Sequence, residues 1–285
     1  HSDEPFYGHV GIRVHADHVN DAGEGEEEVN EYYTHSHVEL GSRIAEGFNI
    51  DTNLKIEGEP GGHGHGGIAR THDGETRVFE DHPLIVESLT LTYSYEDFSV
   101  YLGKFNPKVG LDYHSFPGLY SYSMIEEYKI AERIGAGVKF GANFDDFGTH
   151  QLNVSGFHAD TTFLSDAILD SRGHTSKSDG GLANTEDLDS YAISLGGKDF
   201  YSLDNNIVER LSYRFGYALQ KAGIGNEEDE ARYSLSLSYR ENFSDKISKT
   251  LIFEYMDIEH YSGEEAHDRS YFTSSLGLEL YPYSF

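Results

Sequence analysis

The chain has 285 residues, of which 37% are hydrophobic, and with a mean hydropathy of −0.55 it contains no apolar run long enough for a membrane-spanning helix. Its 50 acidic and 21 basic residues give a net charge of −29, which would suit a disordered acidic chain, but 21 Tyr and 17 Phe exclude that class because disordered chains are poor in aromatic residues. The same charge repels phosphate and excludes nucleic acid as a partner, and the lack of cysteine excludes disulfides and thiolate metal sites.

Short segments in which apolar and polar residues alternate run through the whole chain. In the first segment, Val10, Ile12 and Val14 share one face of a predicted strand. Much later in the chain, Tyr233 and Leu235 alternate with serines in the same way. Twelve strands are predicted, around residues 9–17, 37–44, 50–57, 88–93, 100–102, 133–140, 151–155, 191–195, 210–217, 232–240, 251–255 and 271–280.

The connections between these strands are alternately short and long. A tight turn at Glu46-Gly47 follows the second strand, whereas residues 58–83 separate the third strand from the fourth. With an even number of strands, the long connections fall on one side and the short turns on the other, which is the asymmetry of bacterial outer-membrane barrels. The sequence therefore predicts one domain over residues 1–285, an all-β, closed antiparallel transmembrane β-barrel of 12 strands with short periplasmic turns and long extracellular loops. A soluble β-sandwich or soluble barrel, whose strands also alternate, is the alternative.

One part of the chain is similar to a known family. Gly103-Lys104-Phe105-Asn106-Pro107, followed by Glu126-Glu127-Tyr128 and by Glu132-Arg133-Ile134-Gly135, resembles a stretch of a poorly characterised proteobacterial porin family. The pattern over most of the chain resembles the porin-type outer-membrane proteins of Gram-negative bacteria. That resemblance implies passive diffusion of small solutes through the outer membrane, with outer-membrane lipids around the barrel.

The two ends of the chain bear on the same resemblance. Tyr283-Ser284-Phe285 is similar to the end signal that the barrel-assembly machinery reads, so this machinery is an expected partner, although Pro282 and Glu279 interrupt the usual apolar alternation. A chain that opens at His1 rather than at Met is expected to be a mature product after signal-peptide cleavage.

Charged side chains on the polar faces of the strands are expected to line the lumen, because an Arg or Lys at the lipid-facing midplane costs about 2–4 kcal/mol. The predicted pore-lining residues are Arg13, Arg43, Lys55, Arg133, Lys139, Arg210, Arg214, Arg232, Glu39 and Glu254. The connection over residues 107–131 is the predicted inward-folded constriction loop, whose Asp112, Glu126 and Glu127 would oppose the basic wall and create a transverse field. The alternative is that the same charges pair into a salt-bridge network that plugs a narrow lumen.

A Gly- and His-rich stretch between the third and fourth strands is a candidate metal site. It contains His63, His65, His72 and Asp73, and imidazole is a suitable ligand for Zn, Cu or Ni. A solvated polar loop is the alternative, and no cofactor is required. The chain has no nucleophile elbow, no phosphate-binding glycine loop and no HExxH motif, so it is not expected to be an enzyme.

Together these patterns predict an outer-membrane porin or channel for passive diffusion of small polar or charged solutes, with divalent metal cations among the candidates. The alternative is a surface-exposed metal- or partner-binding protein in which the barrel is only a membrane anchor.

Overall fold

A computed structural model describes residues 5–18, 30–57, 76–80, 82–111, 116, 128–200, 210–244 and 246–280. The chain divides into two units, of which the first comprises residues 1–92, 103–105 and 160–176 and the second comprises residues 93–102, 106–159 and 177–285. The described parts of both units consist of β-strands, connections and a few three-residue 3-10 turns.

The first unit is built around one long strand. Its strands are β1 (Phe6–Gly11), β2 (Val14–His18), β3 (Asn30–Ala45), β4 (Phe48–Glu57), β5 (Thr76–Val78) and most of β6 (Leu84–Tyr95). β3 pairs antiparallel with β1, β2 and β4, and parallel with the short β5. Residues 160–176, which include a 3-10 turn at Phe163–Ser165, meet β6 through a backbone pair between Leu84 and Ile168.

The second unit is a succession of antiparallel strands. They are most of β7 (Phe98–Phe105) and all of β8 (Arg133–Asn143), β9 (Thr149–Ala159), β10 (Ser190–Lys198), β11 (Leu211–Gln220), β12 (Glu230–Ser244), β13 (Ile247–Glu259) and β14 (Arg269–Leu280). From β8 onward each strand pairs with the next along the chain. Short 3-10 turns lie at Asp145–Phe147, Lys177–Asp179 and Tyr261–Gly263.

The hydrogen-bonded order is β1-β3-β4-β6-β7-β8-β9-β10-β11-β12-β13-β14, with β2 and β5 beside β3. This path of twelve strands matches the twelve predicted strands, and the predicted all-β antiparallel fold is confirmed. The first predicted strand is divided into β1 and β2 at Ile12 and Arg13, and β5 was not predicted. Among the described residues, β1 pairs with β3 and β14 pairs with β13, so closure of the sheet stays a prediction.

Connection lengths alternate from β3 to β10, as the sequence predicted, but the 12-residue connection from β10 to β11 is longer than the 9-residue connection from β11 to β12. Two residues join β3 to β4 and two join β6 to β7. In the first of these turns Gly47 has a φ of 75°, in the left-handed region that glycine adopts without steric cost. Long connections separate β4 from β6, β7 from β8 and β9 from β10.

The strands expose their apolar faces and bury their polar ones. In β12, Ser234 and Ser236 are buried, whereas Leu235 and Leu237, which alternate with them, are 40% and 45% exposed. The same inversion holds in β13, where Glu254 is buried and Phe253 is exposed. Forty large hydrophobic side chains are exposed among the described residues. A protein folded in water has the opposite arrangement, since apolar side chains gain free energy by leaving water.

Candidate functional site

Glu254 is the centre of the buried polar face in the second unit. Its side chain is 1% exposed and accepts hydrogen bonds from the Ser236 hydroxyl at 2.5 Å, the Leu111 amide at 2.6 Å and the Tyr128 hydroxyl at 2.9 Å. Three donors offset the cost of burying a carboxylate. Two of them, Leu111 and Tyr128, lie on the connection between β7 and β8.

Other contacts attach the same connection to the polar face. The carbonyl oxygen of Val109 accepts a hydrogen bond from the Ser234 hydroxyl at 2.7 Å. The carbonyl oxygen of Tyr128 accepts one from the Arg232 guanidinium at 2.5 Å. The described ends of the 107–131 segment therefore lie against the buried faces of β12 and β13.

Gly216 on β11 permits this close approach. A Cβ atom at position 216 would lie 1.9 Å from the carbonyl oxygen of Val109 and 2.5 Å from the hydroxyl oxygen of Ser234. Arg214, two residues earlier on the same face of β11, donates to the carbonyl oxygen of Gly110 at 3.2 Å. Only glycine leaves room for the segment at this point of the strand.

A chain of charged and amide side chains crosses the same face. Arg133 on β8 donates to the Gln220 side chain at 2.9 Å, and Gln220 donates to Glu230 at 2.7 Å. Glu230 also pairs with Arg232 at 2.6 Å. Glu230 and Arg232 are buried, so their attraction is screened less than that of a surface pair.

Tyr128 is held in its protonated form by its surroundings. Burial, followed by the negative charge of Glu254, raises the pKa of the Tyr128 phenol above its ordinary value. The hydroxyl therefore remains a donor to Glu254 throughout the physiological pH range. A second contact, a ring packing at 5.2 Å between centroids, joins Tyr128 to Tyr271 on β14.

The first unit has its own buried ion pairs on the polar side of its strands. Lys55 on β4 lies 2.9 Å from Glu87 on β6, and Asn53 donates to the same carboxylate at 2.6 Å. Lys104, which is fully buried, lies 2.9 Å from Asp160 and donates to the Leu164 carbonyl oxygen at 2.8 Å.

The structure places the predicted pore-lining residues in different surroundings. Lys55, Arg232 and Glu254 are buried in the networks described above, and Arg133 and Arg214 are half-buried beside them. Arg210 is half-buried and pairs with Glu241 at 2.5 Å, and Lys139 is also half-buried. The exposed members of the set are Arg13, Arg43 and Glu39. Whether solutes contact any of these side chains stays a prediction.

Several predicted residues lie outside the part of the chain that the structure describes. They are the constriction-loop residues Asp112, Glu126 and Glu127 and the metal-site residues His63, His65, His72 and Asp73. Among the described residues, no group of three or more His, Asp or Glu side chains is placed to hold a metal ion.

Sequence reasoning missed partners that complete the buried networks. Glu87, Lys104, Asp160, Gln220 and Glu230 had no predicted role. Alternation gave no signal for Glu87, because buried Ile85 and Glu87 have the same parity on β6 as exposed Tyr93 and Tyr95. Glu230 follows three other acids, and composition cannot single out the one that is buried.

The described residues include no helix with the length and apolar character required to cross a membrane.

Comparison with known proteins gave no matching family model and no match among curated proteins. Among solved structures, OccAB2 of Acinetobacter baumannii is 11% identical, with 97% of this chain and 62% of OccAB2 covered and a TM-score of 0.43. OmpT of Vibrio cholerae lacking loop L8 is 10% identical, with 97% and 89% covered and a TM-score of 0.43. A mutant of the Rh. blastica porin is 13% identical, with 95% and 84% covered and a TM-score of 0.42.

These neighbours are bacterial outer-membrane porins, the class that the sequence resemblance named. The chain spans less than two thirds of the length of OccAB2. At this level of likeness the neighbours carry no information on what the chain binds or passes.

Proposed function

We propose that the protein is an outer-membrane channel for the passive diffusion of small polar or charged solutes. The observation that carries the proposal is the inverted burial of its strands, with apolar side chains outward and charged side chains inward. Soluble monomers rarely expose apolar patches larger than a few hundred Å², whereas forty large hydrophobic side chains are exposed here among the described residues. If lipid rather than water surrounds these side chains, exposing them carries no such free-energy cost.

The kind of secondary structure, β-strand rather than helix, also supports a location in the outer membrane. A membrane-spanning backbone must satisfy its own hydrogen bonds, which leaves helices and closed β-barrels as the spanning structures. The strands of this chain are 8 to 16 residues long from β6 to β14 and in β3 and β4, which includes the roughly 9–11 residues that a tilted strand needs. Barrels of this kind belong to the bacterial outer membrane.

The buried charges determine which solutes the proposed passage would favour. Glu254, Arg232 and Glu230 lie on the face away from lipid, where the described ends of the 107–131 segment also pack. A passage beside them would be narrow and water-filled, and fixed charges act strongly on ions in such a passage. The proposal therefore favours small polar or charged solutes and includes no specificity for metal cations.

The test is reconstitution of the purified protein into planar lipid bilayers. We expect stepwise, ohmic conductance, and swelling of liposomes that falls with solute size. The same preparation after boiling serves as the control, because it has the same composition without the fold. A folded protein that inserts but conducts no ions would contradict the channel.

That second outcome would favour the alternative, a membrane anchor whose lumen is filled. The specific observation behind it is the chain of contacts from half-buried Arg133 through Gln220 and Glu230 to Arg232, because polar side chains of this kind fill narrow barrels. In that case the long connections would carry the function, and metal capture by the segment that contains His63 and His65 would become the first activity to test.

A further inference from the structure

Four histidines lie on one face of the first unit. In an antiparallel pair, residues opposite each other share a face, and so do residues two apart along a strand. His9 pairs with Glu39, and His15 pairs with Tyr33, so both share the face of β3 that carries His35 and His37. We call these four residues the histidine row.

The rings of the histidine row are close to one another. His9 and His37 have ring centroids 5.5 Å apart, and His15 and His35 have ring centroids 6.4 Å apart. His15 also stacks on Tyr33 at 4.9 Å. The ring of His37 covers Gly11, where a Cβ atom would lie 2.3 Å from its Cε1 atom.

The row belongs to the polar face of the sheet. His37 pairs with Lys55 on β4, and Lys55 is buried against Glu87 on β6. The opposite face of the same strands carries Val10, Val38 and Leu54, which are paired with one another. The histidine row thus lies on the side that the proposed channel turns away from lipid.

The fixed charges around the row are predominantly negative. The cations on this face of β1 to β4 are Arg13, Arg43 and Lys55. The anions are Glu39, Asp51 and, on β6, Glu87, and the strand register places Asp17, Glu31 and Glu57 at positions of the same face. The phenols of Tyr7 and Tyr33 also face the row. One further imidazole, His82, accepts a hydrogen bond from the Thr34 amide at 3.0 Å.

We propose that the histidine row makes the ion selectivity of this channel depend on pH, so that anions are favoured more at pH 5 than at pH 8. The proposal rests on the proposed channel function. Histidine is the side chain that ordinarily changes charge between pH 5 and pH 8. Positive charge gained by the row would repel cations and hold anions in a narrow passage.

Reversal potentials across a KCl gradient test this directly. From pH 8 to pH 5 the anion-to-cation permeability ratio should rise by roughly threefold or more in the unaltered protein, since fixed charges act strongly on ions in a narrow passage. A variant in which all four histidines are replaced by Gln should lose most of that rise. Paired replacements, His9→Gln with His37→Gln and His15→Gln with His35→Gln, should each remove part of it.

A matched control uses histidines on the outward face. His150 and His158 share the face of exposed Leu152 on β9, so His150→Gln with His158→Gln should keep the full pH response. Altered gel mobility on boiling confirms that each variant is folded. A steady channel whose selectivity ignores pH, or a fourfold variant that still responds in full, overturns the proposal and leaves the channel function standing.

A second measurement does not depend on conductance. Naphthalene trisulfonate keeps its three negative charges from pH 5 to pH 8, and its binding to the detergent-solubilised protein can be followed by its fluorescence. Binding should be severalfold tighter at pH 5 for the unaltered protein and for the control variant, and this gain should be lost in the fourfold variant. An equal gain in affinity at pH 5 in all three proteins would contradict the proposed role of the histidine row, even if the protein conducts no ions.

Discussion

Glu254 on β13 accepts hydrogen bonds from both described ends of the 107–131 segment. Its replacement therefore tests whether these contacts hold the segment against the sheet. In Glu254→Gln the amide nitrogen would point at one of three groups that now donate to the carboxylate. We expect the free energy of unfolding to fall by about 1–3 kcal/mol, as for a lost hydrogen bond to a buried charge. Denaturant titration in lipid vesicles measures it.

The same variant should conduct with more current noise, because the ends of the 107–131 segment lose an attachment. Glu259→Gln is the matched control, since Glu259 lies on the same strand, is exposed, and contacts only the Tyr233 hydroxyl at 3.5 Å among its described hydrogen bonds. Indistinguishable stabilities for the two variants would contradict the role given to Glu254.

Gly216 makes a steric prediction at the same place. In Gly216→Ala the new methyl group would meet the Val109 carbonyl oxygen at 1.9 Å, so the segment must move or the strand must bend. Gly196→Ala on the neighbouring strand β10 is the control, because the nearest atom to its Cβ would be 3.4 Å away. We expect Gly216→Ala to change single-channel conductance and Gly196→Ala to leave it unaltered. Equal effects would show that the segment does not press on Gly216.

The alternation of apolar and polar residues identified which side chains point away from the apolar face, but not which residues they contact. It placed Arg232 and Glu254 on the polar side of their strands, and both are buried there. Tyr128, which donates to Glu254, lies 126 residues earlier in the chain. Periodicity is a local property, and it carries no information on which distant connection will cover a strand.

Two exposed leucines, one in the middle of β12 and one at the end of β14, show how the apolar side should respond to charge. Leu237 lies near the middle of β12 and Leu280 is the last residue of β14, and both are exposed. Arginine on the lipid face costs about 2–4 kcal/mol at the midplane and about 0–1 kcal/mol near the interface. Leu237→Arg should therefore lower the free energy of unfolding in lipid vesicles much more than Leu280→Arg. Equal costs would mean that depth along the strand is irrelevant and that the exposed face is not in lipid.

Every strand on the twelve-strand path was predictable, because each carries its own alternation of apolar and polar residues. β5 was not, because three residues are too few to establish a period, and it pairs parallel to β3 rather than through a turn. The division of the first strand at Ile12 and Arg13 was also not predicted, since the alternation runs through it without interruption.

For the molecule as a whole, closure of the sheet has a simple test. A closed barrel has no unpaired edge and resists detergent at room temperature. Unheated protein should therefore migrate differently from boiled protein in denaturing gels, and it should show a β-type circular dichroism spectrum in detergent. If the two samples migrate identically while the spectrum remains β-type, the sheet is open at β1 and β14.

The inverted burial of the strands also determines which substitutions each face of a strand tolerates. An outward leucine contacts fluid lipid, so many apolar replacements would be tolerated there, whereas an inward serine or glycine such as Ser236 or Gly216 has fixed neighbours at short range. In a saturation mutagenesis experiment that selects for assembled protein, tolerance should alternate along β12 with a period of two. Added volume should be harmful at the polar positions, and added charge should be harmful at the apolar positions. In a protein that folds around an apolar core, added volume is instead harmful at the buried apolar positions.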